Sequence, residues 1–327
     1  MTPVTWLLLP LSLVFRFTVF ARRMLYRARL RPVARIDVPV VIVGNITVGG
    51  SGKTPLVLWM VEHLAAAGWR PGIVSRGYGG SVASSRDAPV EVTTGSDARE
   101  VGDEPLLLAH RARCPVWVGA DRAHACRALR SAHPECDVLV LDDGLQHYGL
   151  ARDVEIAVVD SRGFGNGFLF PAGPLREPVS RLREVDAIVR NGGDADGFAM
   201  RLEGREFVNL ADPARAVDAA ALGSKRVHAV AGIGEPARFF AHLESLGLEV
   251  MQHAFPDHHA YRAWELEFGD RLPVVMTEKD AVKCTAFAGA HLWMLPVRAE
   301  LDPRFAPVLE EKLRATLQGK LRGPKAA

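Results

Sequence analysis

The most constraining feature of the chain is the stretch VPVVIVGNITVGGSGKTP, residues 38–55, in which an apolar run leads into a glycine-rich turn. The run 38–43 predicts a buried strand, and glycines in the turn can adopt positive φ at little cost. Gly-Lys-Thr at 52–54 then opens a predicted helix, whose first N–H groups attract anions. This order of strand, loop and helix predicts a cradle for nucleotide phosphates. The alternative is a glycine-rich turn without a ligand.

The loop differs from the general phosphate-loop pattern at one position. That pattern, G-x-x-x-x-G-K-[ST], has glycine where this chain has Thr47. We still expect Lys53 to reach the β- and γ-phosphates and the Thr54 hydroxyl to bind Mg²⁺. The predicted nucleotide-binding residues are Thr47, Val48, Gly49, Gly50, Ser51, Gly52, Lys53, Thr54 and Pro55.

A second motif supplies acids for that metal ion. In CDVLVLDDGLQHY, residues 136–148, an apolar run ends in Asp142 and Asp143. Ligands in α/β folds lie outside the carboxyl ends of parallel strands, so both aspartates are candidate Mg²⁺ ligands. Taken alone, Asp-Asp-Gly could equally be a turn.

Beyond the loop, short β-branched runs alternate with helical patterns, which predicts βαβ units and helices on both faces of a parallel sheet. Because 327 residues are many for a single core, we expect two domains. The predicted fold class is α/β: a P-loop NTPase-like parallel-sheet domain, a second, smaller α/β domain and an N-terminal membrane-associated helix. The predicted bounds are 1–36 for the apolar helix and basic segment, 37–200 for the P-loop domain, 201–225 for a linker, and 226–327 for the smaller domain with a terminal helix.

The N-terminus has the composition of a membrane element. Residues 4–20, VTWLLLPLSLVFRFTVF, are mostly apolar and continue into an arginine-rich segment. The run is slightly short for a bilayer span and contains Arg16. Arginines beside an apolar helix attract anionic lipid and tend to stay on the cytoplasmic side. We expect anchoring at the cytoplasmic face; the alternative is an amphipathic helix packed on the protein's own core.

Charge and cysteine content argue against other classes of protein. A net charge of +2 argues against a dedicated nucleic-acid binder, and no nucleic acid is expected as a partner. The four cysteines show neither C-x-x-C pairing nor zinc-ligand spacing, which fits unlinked thiols in a reduced cytosol.

Seven motifs carry a family resemblance by their order: VGNITVGGSGKTP, SRGYGG (75–80), VGDEP (101–105), DDGLQHY (142–148), PAGPLREP (171–178), FPDHH (255–259) and TEKDAVKC (277–284). With them the chain resembles the tetraacyldisaccharide 4'-kinases of lipid A biosynthesis, which are membrane-associated bacterial enzymes. In that family Ser or Thr replaces the loop glycine, so Thr47 is a family trait. Leu145 is a departure, since the family commonly has Phe there, but this apolar replacement affects no catalytic group.

The resemblance implies ATP as the donor and a tetraacylated glucosamine disaccharide 1-phosphate as the acceptor, phosphorylated at its 4'-hydroxyl. It also implies Mg²⁺ and action at the cytoplasmic face of the bacterial inner membrane. The expected partners are therefore the lipid-linked substrate and inner-membrane lipids, with no obligatory protein partner.

The resemblance also implies a catalytic pair. A sugar hydroxyl must lose a proton as the new bond forms, so a carboxylate or imidazole should lie within hydrogen-bonding reach. Asp103 of VGDEP is the candidate base. His258 of FPDHH, in preference to His259, is its candidate partner from the second domain, so catalysis would depend on domain closure. With Lys53, these are the predicted catalytic residues. Without the resemblance, Asp103 could be a helix N-cap and His258 an ordinary loop histidine.

Three arginines are candidate contacts for the anionic acceptor, because guanidinium groups match phosphate geometry. They are Arg76, Arg122 and Arg176, and each could instead form a surface salt bridge. Gln146 and His147 follow the metal acids and are expected to line the nucleotide or acceptor pocket.

Two other functional classes are open to such a chain. A phosphate-loop GTPase or ATPase switch, or a metallochaperone acting on a protein partner, would also use a nucleotide site and a membrane-facing helix. Against it, TEKD at 277–280 has Glu278 where the guanine-reading motif needs lysine, and metal-binding cysteine pairs are missing from the sequence. An inactive nucleotide-sensing membrane module would require the candidate acids to be dispensable.

Overall fold

This computed structural model describes residues 3–84, 88–192 and 196–321, which form two β-sheets and the helices around them. The α-helices are α1 (Pro3–Arg27), α2 (Lys53–Ala66), α3 (Ala98–Val101), α4 (Asp103–Arg111), α5 (Arg122–Ala132), α6 (Pro236–Ser245), α7 (Glu278–Ala281) and α8 (Phe305–Leu321). The strands are β1 (Val40–Gly44), β2 (Pro71–Ser75), β3 (Val90–Val92), β4 (Val116–Val118), β5 (Val138–Asp142), β6 (Val154–Asp160), β7 (Ala187–Asn191), β8 (Phe198–Glu203), β9 (Phe207–Asn209), β10 (Ala216–Val217), β11 (Arg226–Ala231), β12 (Glu249–Ala254), β13 (Val274–Thr277), β14 (Leu292–Leu295) and β15 (Arg298–Leu301).

The larger sheet has nine strands in the order β15-β8-β7-β6-β1-β5-β2-β4-β3. The run from β8 to β4 is parallel, and the two edge strands are antiparallel to their neighbours. Every residue of β1, β2, β5 and β6 is buried, as expected for parallel strands covered on both faces. The central strand β1 therefore delivers the phosphate loop to the carboxyl edge of a rigid sheet.

Two apolar layers cover the faces of this sheet. On one face, α2, α4 and α8 contribute a cluster that includes Leu56, Met60, Leu108 and Leu309. On the other face, α5 packs together with the segment 164–182, through residues such as Leu129 and Leu175. The second layer joins the segment after β6 to the core beneath the phosphate loop.

The smaller sheet has six strands in the order β10-β9-β14-β13-β11-β12. Its β14, β13, β11 and β12 are parallel, and β9 and β10 are antiparallel additions. Phe239, Phe240 and Leu243 of α6 pack on one face of this sheet. The predicted second α/β unit is therefore present.

The chain divides between the sheets differently from the predicted bounds. Residues 201–225, predicted as a linker, contain the end of β8 together with β9 and β10, which belong to the smaller sheet. The terminal strand β15 and helix α8, predicted to belong to the second domain, return to the larger sheet. The physical reason is that Phe305, Leu309 and Leu313 form an i, i+4 stripe that packs into the core beside α2. By sheet membership, the second domain spans about 207–295.

Helix α1 lies on the outside of the larger domain with most of its apolar side chains in solvent. Its segment Thr5–Arg27 is long and apolar enough to cross a bilayer, with a mean hydropathy of 1.3, and only 6% of it is buried. By length and composition alone, such a helix near an N-terminus is weak evidence for a membrane span. Its exposed large side chains include Trp6, Leu7, Leu11, Leu13, Val14, Phe17 and Phe20.

A narrow face of α1 is docked on the segment that follows β6. The Ser12 hydroxyl donates to the Leu169 carbonyl at 2.7 Å, and the Phe15 ring meets Phe170 edge-on at 6.0 Å. One turn from its end, Arg23 pairs with Glu184 at 2.5 Å. Helix α1 therefore packs on the protein along one face, as the amphipathic alternative predicts. It also presents an apolar face outward, as membrane anchoring requires.

Candidate active site

Two glycines give the phosphate loop its shape. Gly49 and Gly52 both have φ of 90°, a conformation that other residues adopt only with strain. At Gly52 a Cβ atom would also lie 2.4 Å from Nδ2 of Asn191. That amide donates to the Ser51 carbonyl at 3.0 Å, so β7 fixes the turn that opens α2.

Thr47 fits where the general pattern has glycine. It is buried and forms an isolated antiparallel bridge with Leu175. Next to it, the Val48 N–H donates to the Pro174 carbonyl at 2.8 Å, while the Asn45 amide donates to the Gly49 carbonyl at 3.2 Å. The segment after β6 therefore supports the phosphate loop at Thr47, and the threonine side chain is accommodated there.

Lys53 lies at the start of α2 with its side chain almost fully buried. Its Nζ is 3.5 Å from Oδ1 of Asp143. Residues 50–55 line a cavity of about 690 Å³, which is also lined by Glu104 and by Gly234, Arg238 and Lys279 of the second domain. The phosphate loop thus opens onto a cleft between the two domains.

Asp142 ends β5 beside this lysine and is fully buried. Neither of its carboxylate oxygens accepts a hydrogen bond from the residues that the structure describes. Burial, and then the nearby charge of Glu104, raises the pKa of Asp142 to about 7, although Lys53 acts in the opposite direction. Because an unpaired charge is costly to bury, a buried carboxylate without partners is stabilised by a bound cation.

The residues present fit Mg²⁺ in a phosphate-dependent site. No cluster of three or more His, Cys, Asp or Glu side chains suited to a metal occurs within 3–84, 88–192 and 196–321. Mg²⁺ commonly takes one or two protein oxygens and completes its coordination with nucleotide phosphates and water. Asp142 and the half-buried Thr54 supply such a partial set.

Asp143 has a different environment from Asp142. Nη1 of Arg176 lies 3.1 and 3.0 Å from its two oxygens. Burial acts to raise the pKa of Asp143, but Lys53 and Arg176 outweigh it and lower the pKa to about 2. Of the two predicted metal acids, the structure leaves Asp142 open and places Asp143 between two cations.

The structure brings Asp103 and His258 together across the domain interface. Nδ1 of His258 lies 2.9 and 3.0 Å from the two oxygens of Asp103, at the first turn of α4. His258 has φ of 62°, and its ring lies 5.1 Å from that of Tyr78. The hydrogen bond that His258 donates to Asp103 raises the pKa of His258. Burial opposes ionisation of Asp103, yet His258 and then Lys279 lower its pKa.

His259 has a different environment. Its Nε2 lies 3.1 Å from Oε1 of Glu265, and its ring packs against Phe255 and Tyr261. It therefore serves the packing of the second domain, and His258 is the histidine of this motif that contacts Asp103.

Two of the three candidate acceptor arginines contact Asp143. Arg176 is paired with its carboxylate, and buried Arg122 donates to its carbonyl at 3.2 Å. Nε of Arg122 has no partner among the described residues, and burial lowers the pKa of this group to about 10. Arg76 is exposed, and its charge also lowers the pKa of Arg122. For Arg176, the salt-bridge alternative holds in this structure.

Gln146 and His147 differ in what they do locally. The Gln146 amide donates to the Asn45 carbonyl at 2.9 Å and to Glu177 at 3.0 Å, so it ties the phosphate loop to the segment after β6. Burial, followed by the charge of Arg122, lowers the pKa of His147 to about 4. This imidazole is therefore neutral near pH 7.

Sequence reasoning missed four polar residues at the cleft. Arg162 donates to the Gly50 carbonyl at 2.8 Å, and Asn191 holds Ser51. Nζ of Lys279 is 3.2 Å from Oε1 of Glu104. Glu104 and Lys279 lie inside two of the seven motifs. The sequence does not indicate that they pair, because they are 175 positions apart.

The strand-loop-helix cradle, the open buried carboxylate and the paired acid and histidine define a phosphate-loop nucleotide-binding enzyme with two α/β domains. The family model for tetraacyldisaccharide-1-P 4'-kinase, LpxK, matches residues 4–314. The chain belongs to this family, which confirms the resemblance carried by its motifs.

Curated relatives and a solved structure agree with this assignment. The tetraacyldisaccharide 4'-kinase of Azoarcus sp. (strain BH72) is 52% identical over 320 residues, covering 95% of this chain and 93% of that one. The enzyme of Aromatoleum aromaticum is 54% identical over 317 residues, covering 94% and 93%. The crystal structure of "apo" form LpxK from Aquifex aeolicus in complex with ATP superposes with a TM-score of 0.79 at 28% identity, covering 95% of this chain and 99% of that one. The predicted fold class is confirmed.

Proposed function

We propose that this protein transfers the γ-phosphate of ATP to the 4'-hydroxyl of a tetraacylated glucosamine disaccharide 1-phosphate in lipid A biosynthesis. The observation that carries the proposal is the contact between Asp103 and His258 across the domain interface, next to the cavity that the phosphate loop lines. Membership of the kinase family supports it over the switch and the inactive sensor.

On the donor side, the loop N–H groups and Lys53 hold the β- and γ-phosphates. Thr54 and Asp142 would hold Mg²⁺, which would supply positive charge to neutralise the phosphate oxygens. We assign Asp143 to positioning Lys53 and Arg176 rather than to the metal, because both cations already face its carboxylate.

On the acceptor side, Asp103 accepts the proton of the 4'-hydroxyl as the new P–O bond forms. His258, held against Asp103, keeps that carboxylate ionised and oriented. Asp103 and Glu104 are consecutive, yet Glu104 lines the phosphate-loop cavity and Asp103 lines a second cavity of about 510 Å³. The base therefore sits at the wall between the two spaces, where donor and acceptor can meet.

Arg76 and Arg122 are the proposed contacts for the phosphate group of the acceptor. Nε of Arg122 is buried without a partner among the described residues, and the charge of exposed Arg76 acts on Arg122 and lowers its pKa. Guanidinium groups in this arrangement match a phosphate monoester.

We propose that α1 lies on the cytoplasmic face of the inner membrane rather than crossing it. Ser12 and Arg23 are both fixed to the larger domain. They are about 16 Å apart along a helix that rises 1.5 Å per residue. A perpendicular helix would carry that part of the domain into the hydrocarbon. An in-plane helix buries its apolar face instead, as monotopic helices do.

Replacing Phe17 and Phe20 together with aspartate is expected to weaken membrane binding by about tenfold or more, because two exposed aromatic side chains no longer enter the interface. Co-sedimentation with vesicles containing anionic phosphatidylglycerol measures this effect. The control is Val90→Asp, at an exposed apolar position on the edge strand β3. Equal binding of all three proteins would contradict a membrane role for α1.

Replacing Asp142 with asparagine is expected to have opposite effects on stability and on activity. Without nucleotide or metal, the melting temperature at pH 8 should rise, because an unpartnered buried charge is removed. The Mg²⁺ concentration for half-maximal activity should rise at least about tenfold. Thermal unfolding and a Mg²⁺ titration test both effects. A variant with unchanged Mg²⁺ dependence would remove Asp142 from the metal site.

The function itself is tested by incubating the protein with γ-labelled ATP, Mg²⁺ and the disaccharide 1-phosphate in mixed micelles. We expect the label in the lipid. Release of labelled phosphate that a protein partner stimulates, with none in the lipid, would instead favour the nucleotide switch.

A further inference from the structure

The TEKD motif at 277–280 fails as a guanine reader, yet all four of its residues have defined roles in the structure. Thr277 caps α7 by accepting from the Asp280 N–H. Asp280 is fully buried and accepts from the Gly232 N–H at 3.0 Å and from the Tyr261 hydroxyl at 3.1 Å. These contacts fix the turn between β13 and α7 in the core of the second domain.

Glu278 braces the same turn against the larger domain. It is buried, pairs with Arg111 at the end of α4 and accepts from the Val297 N–H at 3.0 Å. The side chain between these two anchored acids, Lys279, therefore has a defined direction into the interdomain cleft.

Lys279 lies among three carboxylates from both domains. Its Nζ is 3.2 Å from Oε1 of Glu104, 3.2 Å from Oδ1 of Asp257 and 3.9 Å from Oδ2 of Asp103. Only 16% of its side chain is exposed. Lys283 is 3.8 Å from the same Asp103 oxygen, but it is committed to Asp280 at 2.9 Å.

Resting on the proposed kinase function, we propose that Lys279 is a positioning residue for phosphoryl transfer. Its ammonium group keeps Asp103 ionised beside His258 by offsetting the negative charge of Glu104 and Asp257. Because Lys279 comes from the second domain, this environment of the base exists only when the two domains are docked.

The charges around the pair agree with this role. Asp103 is faced by His258, Lys279, Lys283 and its neighbour Glu104. Although burial acts in the opposite direction, His258 and then Lys279 lower the pKa of Asp103.

The same three carboxylates outweigh the effect of burial on Lys279 and raise its pKa, so the ammonium form persists at any working pH. His258 is faced by Asp103, Asp257, Lys279 and the ring of Tyr78.

Kinetics of three variants test the proposal. Lys279→Met is expected to lower kcat about 10–100-fold with the KM for ATP changed less than about threefold, since Lys279 pairs with Asp103, Glu104 and Asp257 and makes no ion pair with the phosphate loop among the described residues. The acid limb of the kcat profile should move to higher pH by about one pH unit. Lys279→Arg should restore most of the activity, because the guanidinium is always charged. Lys225→Met, at an exposed lysine of the same domain, is the control.

NMR titration of His258 gives a readout that does not need kinase activity. In Lys279→Met the pKa of His258 should rise, because a neighbouring cation that lowers it has been removed. A fall toward 6.5 would show that the domains have separated, and it would overturn the proposal in favour of a structural role for Lys279. Wild-type kcat and pH profile in Lys279→Met would overturn it as well. If the wild-type protein fails to phosphorylate the lipid while the His258 shift is observed, the proposed function fails and the placement of Lys279 stands.

Discussion

Replacing Asp103 with asparagine is expected to lower kcat for lipid phosphorylation about 10²–10⁴-fold, the range that a positioned general base contributes. Asparagine keeps the size of the side chain but cannot take the proton of the 4'-hydroxyl. Because Asp103 does not line the phosphate-loop cavity, the KM for ATP should stay within a few-fold of the wild-type value. Initial rates with labelled ATP over a range of ATP concentrations measure both quantities.

A matched control distinguishes a catalytic role of Asp103 from a helix-capping role. Asp121→Asn makes the same chemical change at the residue that caps α5. Asparagine caps helices about as well as aspartate, so neither variant should lose much stability. His258→Gln should add little to Asp103→Asn in the double variant, because residues that act as a unit are not additive. Near-wild-type kcat in Asp103→Asn would eliminate it as the base.

Replacing Lys53 with methionine is expected to lower kcat by about 10²–10³-fold, because a buried cation no longer stabilises the charge on the transferred phosphate. The affinity for ATP should fall more than the affinity for AMP, since AMP lacks the β- and γ-phosphates. Rapid-quench kinetics and nucleotide titrations measure the two effects. Lys312→Met, at a lysine of α8 that pairs with Asp186, is the control for loss of one positive charge. Equal losses of ATP and AMP affinity would indicate collapse of the loop instead of a missing phosphate contact.

The parts of the site that the sequence predicted share one physical property. The phosphate loop and Asp142 follow directly from a strand and its adjoining turn, so local spacing determines where they lie. The pairing of Asp103 with His258 joins residues 155 positions apart, and no periodicity could have predicted it. It was expected only because the motifs resemble those of a known family.

The parts that were missed depend on how distant segments pack. An apolar stripe on α8 predicts a buried helix face but not which sheet it covers. The terminal helix is therefore predicted within the second domain, whereas it packs on the larger sheet. Gln146 follows the two candidate metal ligands in sequence, yet its amide donates to Asn45 and Glu177. Glu278 excludes TEKD as a guanine-reading motif, and the motif alone gives Lys279 no role. The position of Lys279 among three carboxylates depends on both domains being in place.

The most direct test of the central claim is to locate the new phosphate on the product lipid. A ³¹P–¹H correlation spectrum of the purified product should show a second phosphate monoester coupled to the proton on the 4' carbon. That result is expected from a base that removes a proton from a hydroxyl group. A diphosphate at the 1-position would contradict the role assigned to Asp103 and His258, and a monoester at any other carbon would contradict the 4'-hydroxyl as the acceptor.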